Sequence, residues 1–286
     1  MTDAIFVSPH LDDAALSCGG GITRLARAGV RVTVVTVFTT DQPPDAPLST
    51  LARRSHASWG VGDRPFEVRR AEDEAALRLL GAESQRLGML DAVYRRSPSG
   101  DALYANPLAP PSPDDTEQLL PRLVAALNDS AAATPQARVF CPAGTGGHVD
   151  HVLARRAIEQ VADREAIVYY DEYPYTARPG VLASGADGPD AWPSHDLRLT
   201  AEELETRIAA IACYASQLRG LFPTAGERLR EIASARIPGI GPLFARPPDV
   251  QASAERMAAR VKQDLAAMGG ERYRWSPRRG SPFPAA

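Results

Sequence analysis

One run of nine residues limits the possible folds more than any other part of the chain. Residues 30–38 read VRVTVVTVF, and only one arginine and two threonines interrupt the valines and the phenylalanine. β-branched residues favour strands, and a strand without a polar face is typical of a parallel sheet that helices cover on both sides. We therefore predict a central, fully buried strand here.

The segments around this run alternate between strand and helix patterns. Apolar stretches of strand length lie at residues 4–7, 84–90, 138–141 and 166–170, and helical patterns mark residues 13–28, 69–80, 114–127 and 151–161. Alternation of this kind predicts βαβ units. We expect an α/β, Rossmann-like fold, with a mostly parallel sheet flanked by helices, in one domain over residues 1–286.

Three irregular stretches separate or follow these elements. Residues 40–60, 92–113 and 176–197 lack sustained periodicity, and we predict loops there that determine substrate specificity, with a candidate short helix at the end of the first. Helices are expected near residues 201–219 and 252–268. The tail after Trp275 has few core-forming residues and is predicted to be frayed.

The net charge and the absence of long apolar runs argue against several classes of partner. Lysine and arginine total 32 against 35 aspartates and glutamates, a net charge of −3, so there is no broad basic surface for nucleic acid or anionic lipid. The first residues lack the basic and apolar regions of a secretory signal, and no apolar run approaches the ~20 residues of a membrane span. We expect a cytoplasmic protein without a membrane anchor, and an oligomer is possible.

The first chemical motif is Ser8–Asp13, which reads SPHLDD and lies where the first strand ends and its helix begins. Ligands of open α/β sheets bind at this carboxyl edge. The i,i+3 spacing lets His10 and Asp13 face one point, with Asp12 beside them. Adjacent carboxylates repel each other unless a cation or a proton compensates them. The alternative is that both aspartates only stabilise the start of the helix.

The second motif is Gly144–His151, which reads GTGGHVDH and also joins a predicted strand to a helix. Its two histidines have i,i+3 spacing and lie at the same predicted sheet edge. Two such turns can converge on one ion with His/Asp/His ligands and an open position, which is typical of a catalytic metal site. The alternative is a pair of surface histidines at a solvated helix start.

Together these motifs resemble those of the PIG-L/LmbE-like zinc-dependent N-deacetylases. His10, Asp12 and Asp13 match the family's His-x-Asp-Asp core, Leu11 occupies its variable position, and Ala14 replaces a common glutamate. The resemblance covers about residues 4 to 220 and includes further matches at Arg69, Glu72, Leu80, Gly81, Asp91 and Tyr214–Gln217.

The resemblance implies a role for each residue of the two motifs. His10, Asp13 and His151 would bind one zinc ion per chain, Asp12 would be the general base, and His148 would be the electrophilic partner that, if protonated, stabilises an oxyanion. The chemistry is coherent in itself, because a metal lowers the pKa of water and a neighbouring carboxylate can take its proton during attack on an amide.

Four further residues carry less specific expectations. Asp150 either orients one of the neighbouring histidines or is a charge at a helix start. The resemblance suggests Arg69 and Asp91 as contacts for sugar hydroxyls, with a solvated Arg69 as the alternative. Tyr173, in the segment YYDEYPY, would stack on a sugar face or belong to the core.

We therefore expect a zinc-dependent hydrolase that removes an N-acetyl or other N-acyl group from an amino sugar or a sugar-derived small molecule. Two alternatives stay open: an amidase that cleaves a larger amide conjugate, and a metal-binding protein without catalysis. Asp12 distinguishes the last alternative, since a three-ligand binding site does not need an additional carboxylate.

Overall fold

A seven-stranded sheet forms the centre of the protein in the computed structural model, which describes residues 2–62, 64–177, 192–223 and 250–284. The strands are β1 (Asp3–Ser8), β2 (Arg31–Thr40), β3 (Glu83–Leu90), β4 (Arg138–Pro142), β5 (Ile167–Tyr170), β6 (Ser194–Leu197) and β7 (Glu271–Trp275). Their order is β3-β2-β1-β4-β5-β7-β6. The first five strands are parallel, and β7 is antiparallel to both its neighbours. The predicted α/β class is confirmed.

Helices cover both faces of this sheet. They are α1 (Asp13–Arg27), α2 (Thr50–Trp59), α3 (Pro65–Leu80), α4 (Leu120–Ala132), α5 (Val149–Val161), α6 (Ala201–Ala212), α7 (Ala215–Leu221) and α8 (Val250–Met268). Local signals set several helix ends: α2 and α3 stop at glycines with positive φ, and Thr200 and Glu203 form a capping box on α6. No helix among the described residues is long and apolar enough to cross a membrane.

Strand β2 explains why two helical layers are needed. Val35 and Val37 pack in the core beside α4 and α5, whereas Val32 and Val34 pack in the core beside α1 and α3. Successive residues of a strand point to opposite faces, so a strand of valines requires apolar cover on both. Each buried valine contributes roughly 1.5–3 kcal/mol relative to an exposed one.

The parallel pairing of β1 with β4 places the two chemical motifs side by side. Phe6 pairs with Phe140, and the two rings stack with centroids 4.0 Å apart. Both strands then end at the same edge of the sheet, where β1 leads into the SPHLDD turn and β4 into the GTGGHVDH turn. Two segments that are far apart in sequence therefore meet at one point.

Helix α1, which begins with Asp13, is anchored from the far end of the sequence. Glu271 at the start of β7 accepts hydrogen bonds from the backbone N–H groups of Gly20 (2.7 Å) and Gly21 (2.9 Å), and it pairs with Arg207 at 3.1 Å. A Cβ atom on Gly19 would lie 2.8 Å from the side chain of Arg207. The three glycines thus allow charged groups to reach the helix backbone.

Several predictions need correction. Strand β7 was not predicted, β6 occupies the end of a stretch that was predicted as a loop, and the helix expected at residues 201–219 is split between α6 and α7. The tail is not frayed at Phe283, which is only 8% exposed and packs against Phe140 and Tyr273. An aromatic ring provides enough apolar surface to dock an otherwise polar tail. Residues 178–191 of the stretch predicted as a loop lie outside the described residues.

Gly270 provides a test of how β7 is placed against β6. Its φ is +141°, and a Cβ atom there would lie 2.2 Å from the carbonyl oxygen of Leu197. We expect Gly270→Ala to lower the free energy of unfolding by about 2 kcal/mol or more, because the strained backbone cannot relieve this clash. Urea denaturation followed by circular dichroism measures the change.

The matched control is Gly280→Ala, since a Cβ atom on Gly280 meets no other atom within 4 Å. It should leave stability within about 0.5 kcal/mol of the wild type. Equal stability of the Gly270 variant and the wild type would contradict the described contact between β6 and β7.

Candidate active site

The side chains of the two motifs converge on one carboxylate at the carboxyl edge of β1 and β4. Nδ1 of His10 lies 3.1 Å from Oδ2 of Asp13, and Nε2 of His151 lies 3.2 Å from the same oxygen. The ring of His148 is centred 4.9 Å from that of His10 and 5.0 Å from that of His151. The structure therefore brings together four residues that the sequence singled out.

Short local hydrogen bonds hold the first turn in this shape. The hydroxyl of Ser8 donates to the carbonyl of His10 (2.6 Å) and accepts from the N–H of Ala14 (3.1 Å). The backbone N–H of His10 donates to Oδ2 of Asp13 at 2.8 Å. Asp13 is thus fixed as the first residue of α1, with its carboxylate turned back towards the histidine.

Each imidazole of the pair is held by a buried carboxylate on its opposite side. Nε2 of His10 lies 3.1 Å from Oδ2 of Asp150, and Nδ1 of His151 lies 3.2 Å from Oε1 of Glu172. Glu172 also accepts hydrogen bonds from the backbone of Gly144 and Thr145. Carboxylates in this position fix the orientation and tautomer of metal-binding histidines. This favours the interpretation of Asp150 as an orienting residue.

The donor set and its spacing fit a zinc ion. Tetrahedral zinc binds nitrogen and carboxylate oxygen at about 2.0–2.2 Å, which separates neighbouring ligand atoms by roughly 3.3–3.5 Å. The observed separations from Asp13 to His10 and His151 are 3.1 and 3.2 Å. Two imidazoles and a carboxylate are also ligand types that zinc accepts.

Two other groupings of possible ligands also include His10. Ring nitrogens of His10, His148 and His151 lie within 4.8 Å of one another, and so do a nitrogen of His10 and one oxygen each of Asp91 and Asp150. We favour the set with Asp13, because this carboxylate contacts both other ligands directly. His148 instead uses Nδ1 to accept the N–H of Asp150 at 3.2 Å, as the cap of α5.

Nδ1 of His148 is engaged, which fixes where its ring hydrogen lies. Burial and the neighbouring imidazoles of His10 and His151 together lower the pKa of His148 to about 3. Since Nδ1 accepts the N–H of Asp150, a hydrogen on Nε2 is free to donate. The electrophilic role of His148 beside a bound metal stays a prediction.

Asp12 stands beside the cluster with few partners. Burial and the neighbouring Asp13 raise the pKa of Asp12 to about 6, although Arg69 opposes both effects. Nη2 of Arg69 is 3.7 Å from Oδ1 of Asp12, and the guanidinium lies over the rings of Trp59 and Phe66, 4.9 Å from each centroid. Arg69 is only 3% exposed, which excludes the solvated alternative.

The other two predicted substrate contacts have different surroundings. Asp91 lies in the cluster, 3.6 Å from Nε2 of His10, although it also accepts the N–H of Val93. Tyr173 lies elsewhere: its hydroxyl donates to Asp264 at 2.9 Å, and its ring packs near Phe222. The core interpretation of Tyr173 therefore agrees with the structure, and we do not assign it to the site.

A cavity of about 1400 Å³ lies at the same sheet edge, beside the cluster and not around it. Its lining comes from segments near residues 40–48, 95–98 and 114–122, together with parts of α2, α3 and β3. Arg95 lines this cavity and also pairs with Asp150, which contacts His10. We place the site at the cluster of side chains and not in the cavity, because the cavity lining includes none of the motif residues His10, Asp12, Asp13, His148 and His151.

Comparison with known proteins gives a family. The model of a family described as "PIG-L: GlcNAc-PI de-N-acetylase" matches residues 5–162, more than half of the chain. The chain belongs to the PIG-L family. Among curated relatives, this PIG-L protein is 28% identical over 234 residues to 2'-N-acetylparomamine deacetylase of Niallia circulans, across 76% of this chain and 82% of that one. It is 33% identical over 179 residues to the deacetylase of the same name from Streptomyces fradiae, across 61% and 58%.

Solved structures agree with this assignment. The zinc-inhibited form of teicoplanin deacetylase Orf2 has a TM-score of 0.68 and 27% identity, covering 83% of this chain and 94% of that one. The A40926 pseudoaglycone deacetylase Dbv21 has a TM-score of 0.65 and 28% identity, with 83% and 93% covered. These relatives support the interpretation of this PIG-L protein as a hydrolase that acts on carbon–nitrogen bonds.

Asp73, on α3 one turn after Arg69, provides a pH-dependent test of the site's surroundings. Its Oδ1 accepts the hydroxyl of Tyr214 at 2.9 Å, and burial raises the pKa of Asp73 from 3.8 to about 6. Between pH 4 and pH 6, Asp73 keeps its proton in the folded state but has lost it in the unfolded state. The free energy of unfolding therefore falls as the pH rises through this range, and it does not recover at higher pH.

We expect Asp73→Asn to be more stable than the wild type at pH 7.5, by roughly 2 kcal/mol, and equally stable at pH 4. The amide oxygen still accepts from Tyr214 but carries no buried charge. Urea denaturation at both pH values measures the difference, and Asp129→Asn, at an exposed position, is the control. A gain that is the same at both pH values would contradict the raised pKa.

Proposed function

We propose that this PIG-L protein is a zinc-dependent hydrolase that removes the N-acetyl group from an amino sugar or a sugar-derived small molecule. The observation that carries the proposal is the shared Asp13 carboxylate. It contacts both His10 and His151, while the opposite nitrogen of each imidazole meets a buried carboxylate. Asp12, at the adjacent position, supplies the additional carboxylate that hydrolysis needs and that metal binding alone does not.

His10, Asp13 and His151 would hold the zinc ion. When bound, zinc polarises the amide carbonyl and lowers the pKa of water. Asp12 then accepts the proton of the attacking water. Its carboxylate is suited to this step because Arg69 stays 3.7 Å away, which is too far for a strong hydrogen bond and leaves the carboxylate able to accept.

His148 and Asp12 complete the reaction. The Nε2–H of His148 donates to the oxygen that becomes negative as the carbonyl is attacked. Asp12 returns its proton to the amine, which must be protonated to leave. The sugar hydroxyls would lie near Asp91 and Arg69, two buried polar side chains that border the cluster.

The substrate is an amino sugar that carries a further group. The relatives' names specify acetylparomamine, teicoplanin and an inositol-linked acetamido sugar, all of which are conjugates. The cavity of about 1400 Å³ beside the cluster is larger than the 300–1,000 Å³ of usual ligand pockets. It can receive the group attached to the sugar, whereas a monosaccharide would leave most of it empty.

The direct test is the release of acetate from N-acetylglucosamine and a panel of its conjugates by protein that holds one equivalent of zinc. Asp12→Asn should lower kcat by about 10²–10⁴-fold, since it removes the general base. Its zinc content should equal that of the wild type. Asp129→Asn, at an exposed position, should have the wild-type rate.

Two results would contradict the proposal. If Asp12→Asn keeps the full rate, the base is another residue. If the wild type binds one zinc ion but releases acetate from no member of the panel, the protein binds metal without this activity.

Metal removal gives a separate prediction. A chelator should abolish acetate release, and one equivalent of zinc should restore it, because three of the proposed site residues act only as ligands. Since a related structure is described as a zinc-inhibited form, the titration continues into excess zinc, where we expect the rate to fall. Full activity in the chelated, metal-free protein would contradict a metal-dependent mechanism.

A further inference from the structure

Behind His10, a row of buried charges runs away from the proposed zinc site. Asp150 is 0% exposed, and its Oδ2 lies 3.1 Å from Nε2 of His10. Nη1 of Arg95 is 2.6 Å from Oδ1 of Asp150, and Nε of Arg95 donates to Asp115 at 2.9 Å. A cation is thus enclosed between two carboxylates, one of which contacts a proposed zinc ligand.

The surroundings of Arg95 leave its guanidinium little freedom. Nη1 also donates to the carbonyl of Leu90 at 3.0 Å, and the rings of Phe38 and Tyr104 are each centred 5.3 Å from the guanidinium carbon. The side chain is only 6% exposed. Burying a guanidinium costs several kcal/mol of desolvation unless it is paired, so this position is fixed by its carboxylate partners.

The two oxygens of Asp150 have different partners. Oδ2 accepts the backbone N–H of Ala92 at 3.0 Å in addition to its contact with His10. Within the described part of the chain, no hydrogen-bond donor is well aligned on Oδ1, and the contact with Arg95 is an ion pair. Arg95 is therefore the group that compensates the charge at Oδ1.

We propose that Arg95 is a positioning residue that orients His10 through Asp150, an inference that rests on the proposed function. With Oδ1 held by Arg95, Oδ2 stays directed at Nε2 of His10. That contact places the imidazole hydrogen on Nε2 and leaves the Nδ1 lone pair directed towards the shared Asp13 oxygen. Asp115 and the hydroxyl of Tyr104, which are 2.5 Å apart, hold Arg95 from its other side.

The test measures the zinc affinity of the metal-free protein, by competition with a chromophoric chelator, together with the melting temperature. Arg95→Met should raise the Kd for zinc about 10–100-fold, which is typical when a group behind a metal ligand is lost. Arg95→Lys keeps the charge and should recover part of the affinity. Asp115→Asn leaves Asp150 untouched and should raise the Kd severalfold by loosening Arg95.

Arg24→Met is the matched control. Arg24 forms a pair with the buried Glu203, with contacts of 2.7 and 2.6 Å, and it lies eleven residues along α1 from Asp13, roughly 16 Å away. Its loss should lower the melting temperature as much as the loss of Arg95 does. The Kd for zinc should stay within about twofold of the wild-type value, because this pair does not touch the metal ligands.

The outcomes separate this inference from the proposed function. A wild type that binds no zinc would overturn both. If Arg95→Met binds zinc as tightly as the wild type, only the role of Arg95 is overturned. The same holds if the Kd for zinc rises in step with the loss of melting temperature in every variant, including Arg24→Met. If Arg95→Met does not fold, Arg95→Lys and Asp115→Asn decide the question, since unchanged affinity in both contradicts the proposal.

Discussion

Parallel pairing of β1 with β4 is the constraint on which the site depends. Neighbouring parallel strands end at the same edge, so the turns that follow them must share the space beyond it. Here both turns carry charged or ionisable side chains, and most of these side chains are buried. Charges in such a place are tolerated only when each has a partner. Pairing of opposite groups across the two turns follows from this requirement, with Asp13 between two imidazoles and Asp150 and Glu172 behind them.

Features with a local cause could be predicted from the sequence, whereas features that arise from distant contacts could not. The i,i+3 spacing of His10 and Asp13 is a property of one turn. The run of valines in β2 predicts by itself that this strand is buried on both faces. Arg95 and Glu172 have no local pattern that marks them, because each acts on a residue that is brought near only by the folded sheet. Phe283 has no local pattern that marks it either, because the rings it packs against, Phe140 and Tyr273, are brought near only by the fold. The aromatic segment near Tyr173 did contain a residue close to the cluster, since Tyr175 packs edge-on against His151.

The site also shows how a protein can keep a reactive carboxylate beside a cluster of charges. Asp12 and Asp13 are adjacent in sequence but have opposite surroundings. Asp13 contacts two imidazoles, whereas Asp12 faces an arginine that two aromatic rings hold at a distance. Two neighbouring groups with pKa values shifted in opposite directions can have different chemical roles. The rings of Trp59 and Phe66 are therefore part of the proposed chemistry, although they carry no ionisable group.

The contact between Glu271 and helix α1 can form only near the end of synthesis. The carboxylate that binds the N–H of Gly20 lies 251 residues further along the chain. At 5–20 residues per second, a ribosome needs roughly 10–50 s to add that length. Throughout this interval, the helix that presents Asp13 lacks its anchor, and its glycine-rich middle has no packed neighbour from β7. The nascent chain thus contains the complete set of proposed metal ligands well before it can hold them in place.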